Sequence, residues 1–290
     1  MKPASFEYFC PKDLSEVLLL MDKYGSRARL LAGGQSLVPL MNFRLSRPDF
    51  LVDLNGISEL SFIQNKSRYI EIGAMTRART IENNHLVQQH VPLLYKATTQ
   101  IAHLPIRSRG TIGGSLANAD PAAEYPAVAL ALDMEFVVKN LRGERRIKAK
   151  DFFLDSLTTT LEPNELLAKI IVPKVTKGKG FAFIEISRRR GDFAIAGVAV
   201  QVTLSGQKVK TVSLAFFGVG SVPMRLVAAE RVILRDGIND KAIKAAANIV
   251  EDEIDPISDF HATADYRRRL AGVITIRALK QAALSARNES

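Results

Sequence analysis

Ile106-Arg107-Ser108-Arg109-Gly110-Thr111-Ile112-Gly113-Gly114-Ser115-Leu116-Ala117-Asn118-Ala119-Asp120-Pro121 is the stretch on which the reading of this chain turns. Adjacent glycines in an extended pattern let backbone N–H groups converge outward, where side chains would block a ligand's approach. Such a nest holds a pyrophosphate without a lysine, particularly with a helix N-terminus behind it. A second candidate nest lies upstream, in Ala32-Gly33-Gly34-Gln35-Ser36-Leu37, directly after a short apolar strand. A dinucleotide's pyrophosphate fits between the two, reached from both sides. Each glycine pair alone also reads as a tight turn, and it is the pairing that carries the signal. Neither segment is a G-x-G-x-x-G fingerprint or a Walker A loop, which disfavours a standard Rossmann site and a P-loop enzyme.

Working outward, residues 6–10 suit a short strand. Asp13 is placed as a helix N-cap, with Glu16 at N3 completing a capping box. Leu14, Val17, Leu18 and Met21 follow at helical spacing, and Gly25 stops the helix. Residues 29–32 and 50–54 read as strands, with a short helix starting in residues 37–45 between them. Residues 62–64 and 69–73 flank Asn65-Lys66-Ser67 as a hairpin, and a helix is expected from residue 92 to 102. Asp120-Pro121 reads as a helix start, with Asp as N-cap and Pro at N1, followed by an alanine-rich helix to Asp133. Residues 135–139 and 144–148 form a further hairpin. The polar, basic run 174–180 is the best domain boundary. Beyond it, residues 181–187, 194–204 and 209–217 read as three antiparallel strands, with Ser205-Gly206 in a turn. The chain is mostly helical from residue 224 on.

The 290 residues are 47% hydrophobic, enough for a real core divided over two or three subdomains. No run of eighteen apolar residues is present, so no membrane span is expected. The opening MKPASFEYFCP does not read as a signal peptide. The lone Cys10 makes an intramolecular disulfide impossible and points to the cytoplasm. One cysteine also cannot ligate an iron–sulfur cluster, so any such cluster sits on a partner. The four histidines lack HxxxH or HxH spacing, and no metal site is expected. The net charge of +10 suits an anionic cofactor, an acidic partner or nucleic acid. No recognition helix or RNA-binding aromatic signature accompanies it.

The deciding stretch resembles the second FAD loop of the molybdenum-hydroxylase flavoprotein family, to which xanthine dehydrogenase and aerobic carbon monoxide dehydrogenase belong. Leu30-Leu31-Ala32-Gly33-Gly34-Gln35-Ser36-Leu37-Val38-Pro39, continued by Arg47-Pro48 and Leu51-Val52-Asp53-Leu54, resembles its first FAD loop. Ser187-Arg188-Arg189-Arg190-Gly191-Asp192-Phe193-Ala194 is similar to the strand and loop beside the flavin ring. Gly218-Val219-Gly220, with Pro223 and Arg225, fits the C-terminal domain of that family. The resemblance runs in order over nearly the whole chain.

It implies an α+β chain with a vanillyl-alcohol-oxidase (PCMH-type) FAD-binding fold. Two N-terminal subdomains, residues 1–55 and 56–175, would hold FAD between them. A C-terminal domain, residues 176–290, with a three-stranded antiparallel sheet and helices, would close over it. By position, Leu31, Ala32, Gly33, Gly34, Gln35, Ser36 and Leu37 form one wall, with the N–H groups of Gly33, Gly34, Gln35 and Ser36, and the Ser36 hydroxyl, holding the pyrophosphate. Gly110, Thr111, Gly113, Gly114, Ser115 and Asn118 form the opposite wall. Glu124 falls at the acidic position for the adenosine ribose, and Asp120 competes for that role. Ile101 and Ala102, with Leu167 or Ala168, fall where the flavin ring is flanked. Ser115 and Asn118 depart from the family, which often has Asn and His there, and Glu124 is one methylene longer than the more usual Asp.

Other readings stand beside these. Asp120 is equally a helix cap, and Glu124 sits in a first helical turn that favours a carboxylate without any ligand. Residues 188–190 are a solvated loop or a source of positive charge near the flavin. Phe193 reads first as a core residue and second as a cover for the ring. His103 reads as packing. The resemblance implies an electron-transfer subunit with no catalytic side chain of its own, working with a small [2Fe-2S] subunit and a large molybdopterin subunit in a heterotrimer, often doubled. It would pass electrons through FAD to an external acceptor. A stand-alone flavin oxidase and, further off, a basic nucleic-acid-binding protein are the rivals.

Overall fold

The structure is a computed structural model that describes residues 1–288 apart from Lys177 and Gln207. Lys177, part of the basic run expected as a boundary, thus lies outside the described residues.

The N-terminal part is built on a parallel sheet. Strands β1 (Glu7–Phe9) and β2 (Ala28–Leu31) flank β3 (Phe50–Asp53). Helix α1 (Leu14–Tyr24) crosses from β1 to β2, and α2 (Leu37–Asn42) from β2 to β3. Asp13 caps α1 by accepting the Glu16 N–H at 2.9 Å. The Glu16 carboxylate returns to the Lys12 N–H rather than to that of Asp13, so the capping box closes one residue early. Leu14, Val17 and Met21 on one face of α1 bury against Val52 and Leu54. The burial of several such side chains, each worth about 1.5–3 kcal/mol, fixes the helix on the sheet.

The middle part is an antiparallel sheet in the order β4-β5-β10-β6-β7. Its strands are β4 (Ile63–Asn65), β5 (Tyr69–Gly73), β6 (Glu135–Asn140), β7 (Gly143–Lys148) and β10 (Leu166–Pro173), with a small hairpin of β8 (Phe153–Asp155) and β9 (Thr158–Thr159) beside them. Six short helices occupy the connection between β5 and β6: α3 (Ala78–Glu82), α4 (His85–His90), α5 (Pro92–Gln100), α6 (Leu104–Arg109), α7 (Ile112–Asn118) and α8 (Glu124–Ala131). Every residue of α8 after Glu124 is buried. That is the signature of a helix packed on more than one side, and α8 lies against both the middle part and the C-terminal sheet.

The C-terminal sheet is a meander of β11 (Lys179–Ser187), β12 (Ala194–Ser205), β13 (Lys208–Phe217) and β14 (Met224–Arg225). It has four strands, not the three expected. The fourth is two residues long, too short to show a period of two. Helices α9 (Val227–Asp236), α10 (Asp240–Glu253) and α11 (Ala264–Asn288) cover one face. Among the described residues no helix is long and apolar enough to cross a membrane, and no cluster of His, Cys, Asp or Glu could hold a metal ion.

A cofactor cleft between two glycine segments

A cleft of about 1150 Å³ runs between the three sheets, lined by residues from 21 to 54, 74 to 78, 101 to 125, 157 to 167 and 188 to 195, with His261. It exceeds the ~300–1000 Å³ usual for drug-sized ligands and suits an extended dinucleotide. Ala32, Gly33, Gly34, Gln35, Ser36, Leu37, Ile101, Ala102, Gly110, Thr111, Gly113, Gly114, Ser115, Asn118, Asp120, Glu124 and Leu167 all line it. Leu31 and Ala168 do not. Leu31 packs beneath Gly34, and Ala168 joins the N-terminal core while its carbonyl accepts the Ala74 N–H.

The first glycine segment behaves as a nest. Strand β2 ends at Leu31, and Gly34 takes φ 73°, a value that favours glycine. Among the described residues, no protein acceptor takes the N–H groups of Gly33, Gly34, Gln35 or Ser36. The Ser36 hydroxyl makes no capping bond to α2. Unpaired backbone donors in succession are rare in native proteins and mark an anion site. The residues present fit the pyrophosphate of a dinucleotide.

The second segment differs from its expectation. It is not extended: Gly113, Gly114 and Ser115 lie in the first turns of α7, with Thr111 as N-cap. The Thr111 hydroxyl accepts the Gly114 N–H at 3.0 Å, Ala74 O accepts the Gly113 N–H at 2.9 Å, and Thr111 O accepts that of Ser115 at 3.1 Å. These three N–H groups are consumed by the protein. The glycines serve close packing instead: a Cβ on Gly113 would stand 2.4 Å from that of Ala74, and one on Gly114 would stand 2.8 Å from the Thr111 hydroxyl. The second segment therefore supplies a wall and not a second set of backbone donors. What it offers the cleft is side chains, since the Ser115 hydroxyl and the Asn118 amide make no hydrogen bond to the protein among the described residues.

Asp120 is not a helix cap. Its carboxylate accepts the Ala122 N–H at 2.9 Å in a local turn, and α8 starts at Glu124 with Ala123 before it. A helix begun at Pro121 would carry Pro126 in its interior, lacking an N–H and clashing with the preceding turn. Starting at Glu124 puts Pro126 inside the first turn, where no partner is needed. Pro126 was the signal for the true start. Glu124 is half-buried on the cleft wall. Burial, reinforced by the nearby charges of Glu185 and Asp120, pushes its carboxyl up to about 8 despite the helix N-terminus. Burial likewise raises Glu185 to about 7, and one of its carboxylate oxygens has no hydrogen-bond partner.

Ile101, Ala102 and Leu167 line the cleft, as do Arg188, Gly191, Asp192 and Phe193 of the loop after β11. Gly191 there takes φ 89° and lies flat on His103: a Cβ would stand 2.3 Å from the ring Cε1. His103 is thus the seat of the C-terminal loop. Phe193, expected first in the core, is 70% exposed on the cleft lip. Residues 157–162 and His261 also reach the cleft. They come from a two-residue strand, β9, and from irregular segments, too short for any periodicity to announce them.

Two family models match the chain. Residues 4–175 match the family model described as the FAD binding domain in molybdopterin dehydrogenase, and residues 181–282 match the CO dehydrogenase flavoprotein C-terminal domain. The chain belongs to the FAD-binding medium-subunit family of the molybdenum hydroxylases. It is 41% identical to the 6-hydroxypseudooxynicotine dehydrogenase complex subunit alpha of Paenarthrobacter nicotinovorans, over 99% of this chain and 97% of that protein. It is 37% identical to the carbon monoxide dehydrogenase medium chain of Hydrogenophaga pseudoflava, over 97% and 98%. The solved carbon monoxide dehydrogenase of Hydrogenophaga pseudoflava superposes with a TM-score of 0.96 at 38% identity, covering 98% of this chain and 99% of that one. Quinoline 2-oxidoreductase from Pseudomonas putida superposes with a TM-score of 0.94 at 33% identity, covering 99% of each. Like the other members, this medium subunit is an FAD-binding oxidoreductase component, and the cleft is where the family segments meet.

Proposed function

We propose that this medium subunit is the electron-transfer component of a cytoplasmic heterotrimeric molybdenum hydroxylase. It takes electrons from the [2Fe-2S] clusters of a small subunit and passes them to an external acceptor. Substrate is oxidised at a molybdopterin site on a separate large subunit. The single observation that carries this reading is the row of unpaired N–H groups, residues 33–36, on the wall of a cleft that spans both family segments. Bound FAD supplies the ability to exchange electrons singly or in pairs, so it couples one-electron donors to two-electron acceptors. The chain's own residues bind and orient. The N–H groups of Gly33, Gly34, Gln35 and Ser36, with the Ser36 hydroxyl, hold the pyrophosphate. Ser115 and Asn118 add side-chain contacts from the facing wall. Glu124, protonated at neutral pH, donates as well as accepts toward the adenosine ribose, and Asp120 lies beside it. Ile101, Ala102 and Leu167 flank the ring, with Leu31 and Ala168 supporting the walls from behind.

In this reading the fold is PCMH-type, residues 1–55 and 56–175 are the two FAD-binding subdomains, and residues 176–290 form the C-terminal domain. The visible spectrum of the purified chain tests it. Flavin bands near roughly 370 and 450 nm, with the cofactor released by heat as FAD, are expected. Co-purification with an iron-containing and a molybdenum-containing subunit completes the expectation. A colourless chain that also refuses added FAD would overturn it. Substrate oxidation by the chain alone would make it a stand-alone oxidase instead.

A further inference from the structure

A chain of polar side chains runs behind the cleft wall. The Tyr8 hydroxyl donates to Asp53 at 2.5 Å. The other Asp53 carboxylate oxygen accepts both the Asn55 N–H, at 2.8 Å, and the Asn55 amide nitrogen. That amide also donates to the carbonyl of Ala32 at 3.0 Å. The Asn55 amide oxygen accepts from Arg77 Nη2 at 2.6 Å, and Arg77 Nη1 donates to the carbonyl of Arg109. Neither Asn55 nor Arg77 lines the cleft, whereas Ala32, Gly33 and Gly110 do. Arg77 has no carboxylate at ion-pair distance among the described residues.

We propose that Asn55 and Arg77 are positioning residues for the cofactor, a bridge that orients the first glycine segment and locks it to the second. The inference rests on the reading of residues 33–36 as the pyrophosphate site. No peptide bond of the described residues is cis, and in a trans peptide the C=O and the next N–H point to opposite sides. Fixing the Ala32 carbonyl on Asn55, behind the wall, therefore turns the Gly33 N–H away from Asn55. Gln35 repeats the device: its amide nitrogen holds the Gly33 carbonyl at 2.9 Å, which sets the direction of the Gly34 N–H. Arg77 anchors the facing segment, whose Gly110 N–H is already taken by Ile106 O at 2.7 Å, so that it serves as a fixed wall. The Arg77 backbone pairs with Thr111, Ala78 N–H donates to Gly110 O at 2.9 Å, and the Arg77 side chain holds the carbonyl of Arg109. One guanidinium and one amide thus tie the carbonyls at residues 32 and 109 to a common point. The donors are aimed before any ligand arrives, so their orientation costs nothing on binding.

The experiment is a titration of the flavin-stripped full-length chain with FAD, followed by fluorescence quenching, and with lumiflavin, which lacks the pyrophosphate. Asn55→Ala and Arg77→Met are each expected to weaken FAD by about tenfold or more, the scale of one or two oriented hydrogen bonds. Lumiflavin affinity should stay within twofold. Arg77→Lys keeps the charge but cannot reach both acceptors with a planar fork, and is expected to fall between Arg77→Met and wild type. The double variant should lose less than the product of the single losses, because the two residues act as one bridge. FAD affinity within twofold of wild type in Asn55→Ala, or equal losses of FAD and lumiflavin, would overturn the bridge. A wild-type chain that takes up no FAD would instead overturn the cofactor site on which it rests.

Discussion

Gly33 lies so close to Arg109 that a Cβ on the glycine would stand 2.4 Å from the arginine carbonyl oxygen. The two cofactor segments therefore touch backbone to backbone, and glycine is required at this position by the protein and not only by a ligand. Gly33→Ala must push the segments apart. We expect the variant to lose FAD affinity at least about tenfold, with overpacking costing about 1–3 kcal/mol of stability. Equilibrium titration and a denaturant midpoint check both. Unchanged FAD affinity would mean that the closeness of the segments is irrelevant to binding.

A second contact of this kind holds the C-terminal part together. A Cβ on Gly180 in β11 would stand 2.0 Å from Ala282 O and 2.3 Å from Ala286 N, on the flank of α11. Gly180→Ala is expected to cost about 1–3 kcal/mol in urea unfolding, or more where the helix cannot shift. Gly206 serves as the comparison. It takes φ 59° with nothing near its Cβ position, so Gly206→Ala should cost only the left-handed penalty of about 1–2 kcal/mol.

Glu124 gives the flavin-free protein a pH dependence of definite sign. Folded, its carboxyl keeps its proton up to about pH 8; unfolded, it ionises near the ordinary glutamate value of about 4.3. Between those values the folded state binds more protons, so stability falls as pH rises. The contribution is fully present below the window and lost above it. Glu185, raised to about 7, acts in the same direction. Melting temperatures from pH 5 to 8 should decline, and Glu124→Gln should flatten the slope. An equal slope in that variant would remove Glu124 as its source.

Phe193 offers a test of burial. At 70% exposure on the cleft lip, its truncation to serine should change unfolding free energy by no more than about 0.5 kcal/mol. A core phenylalanine would cost about 3–5 kcal/mol. Chemical denaturation separates the two outcomes.

The regular elements were legible because their cause is local. The apolar runs within 194–204 and 212–217, buried on both faces of the sheet, and the helical spacing of Leu14, Val17 and Met21 on one face each follow from burial, and β12, β13 and α1 form there. The first glycine segment was legible for the same reason, since its donors need only local backbone freedom. The second segment was misread as extended because its glycines suit a turn as well as a helix. What decides between them is Ala74, on another strand's end, packed against Gly113. Asp120 was misread because its N-cap chemistry outweighed the veto carried by Pro126. Asn55 and Arg77 gave no signal at all: their partnership joins residues 22 positions apart, through side chains that any loop could carry.

The walls of the cleft are drawn from residues 33, 114 and 193 alike, which sets an order of events during synthesis. At about 5–20 residues per second, the wall that carries Phe193 leaves the ribosome on the order of ten to thirty seconds after the segment that carries Gly33. A nascent chain that has made only its first glycine segment holds donors without an enclosure. The cleft is therefore complete only in a chain whose C-terminal sheet has already been translated and docked on His103.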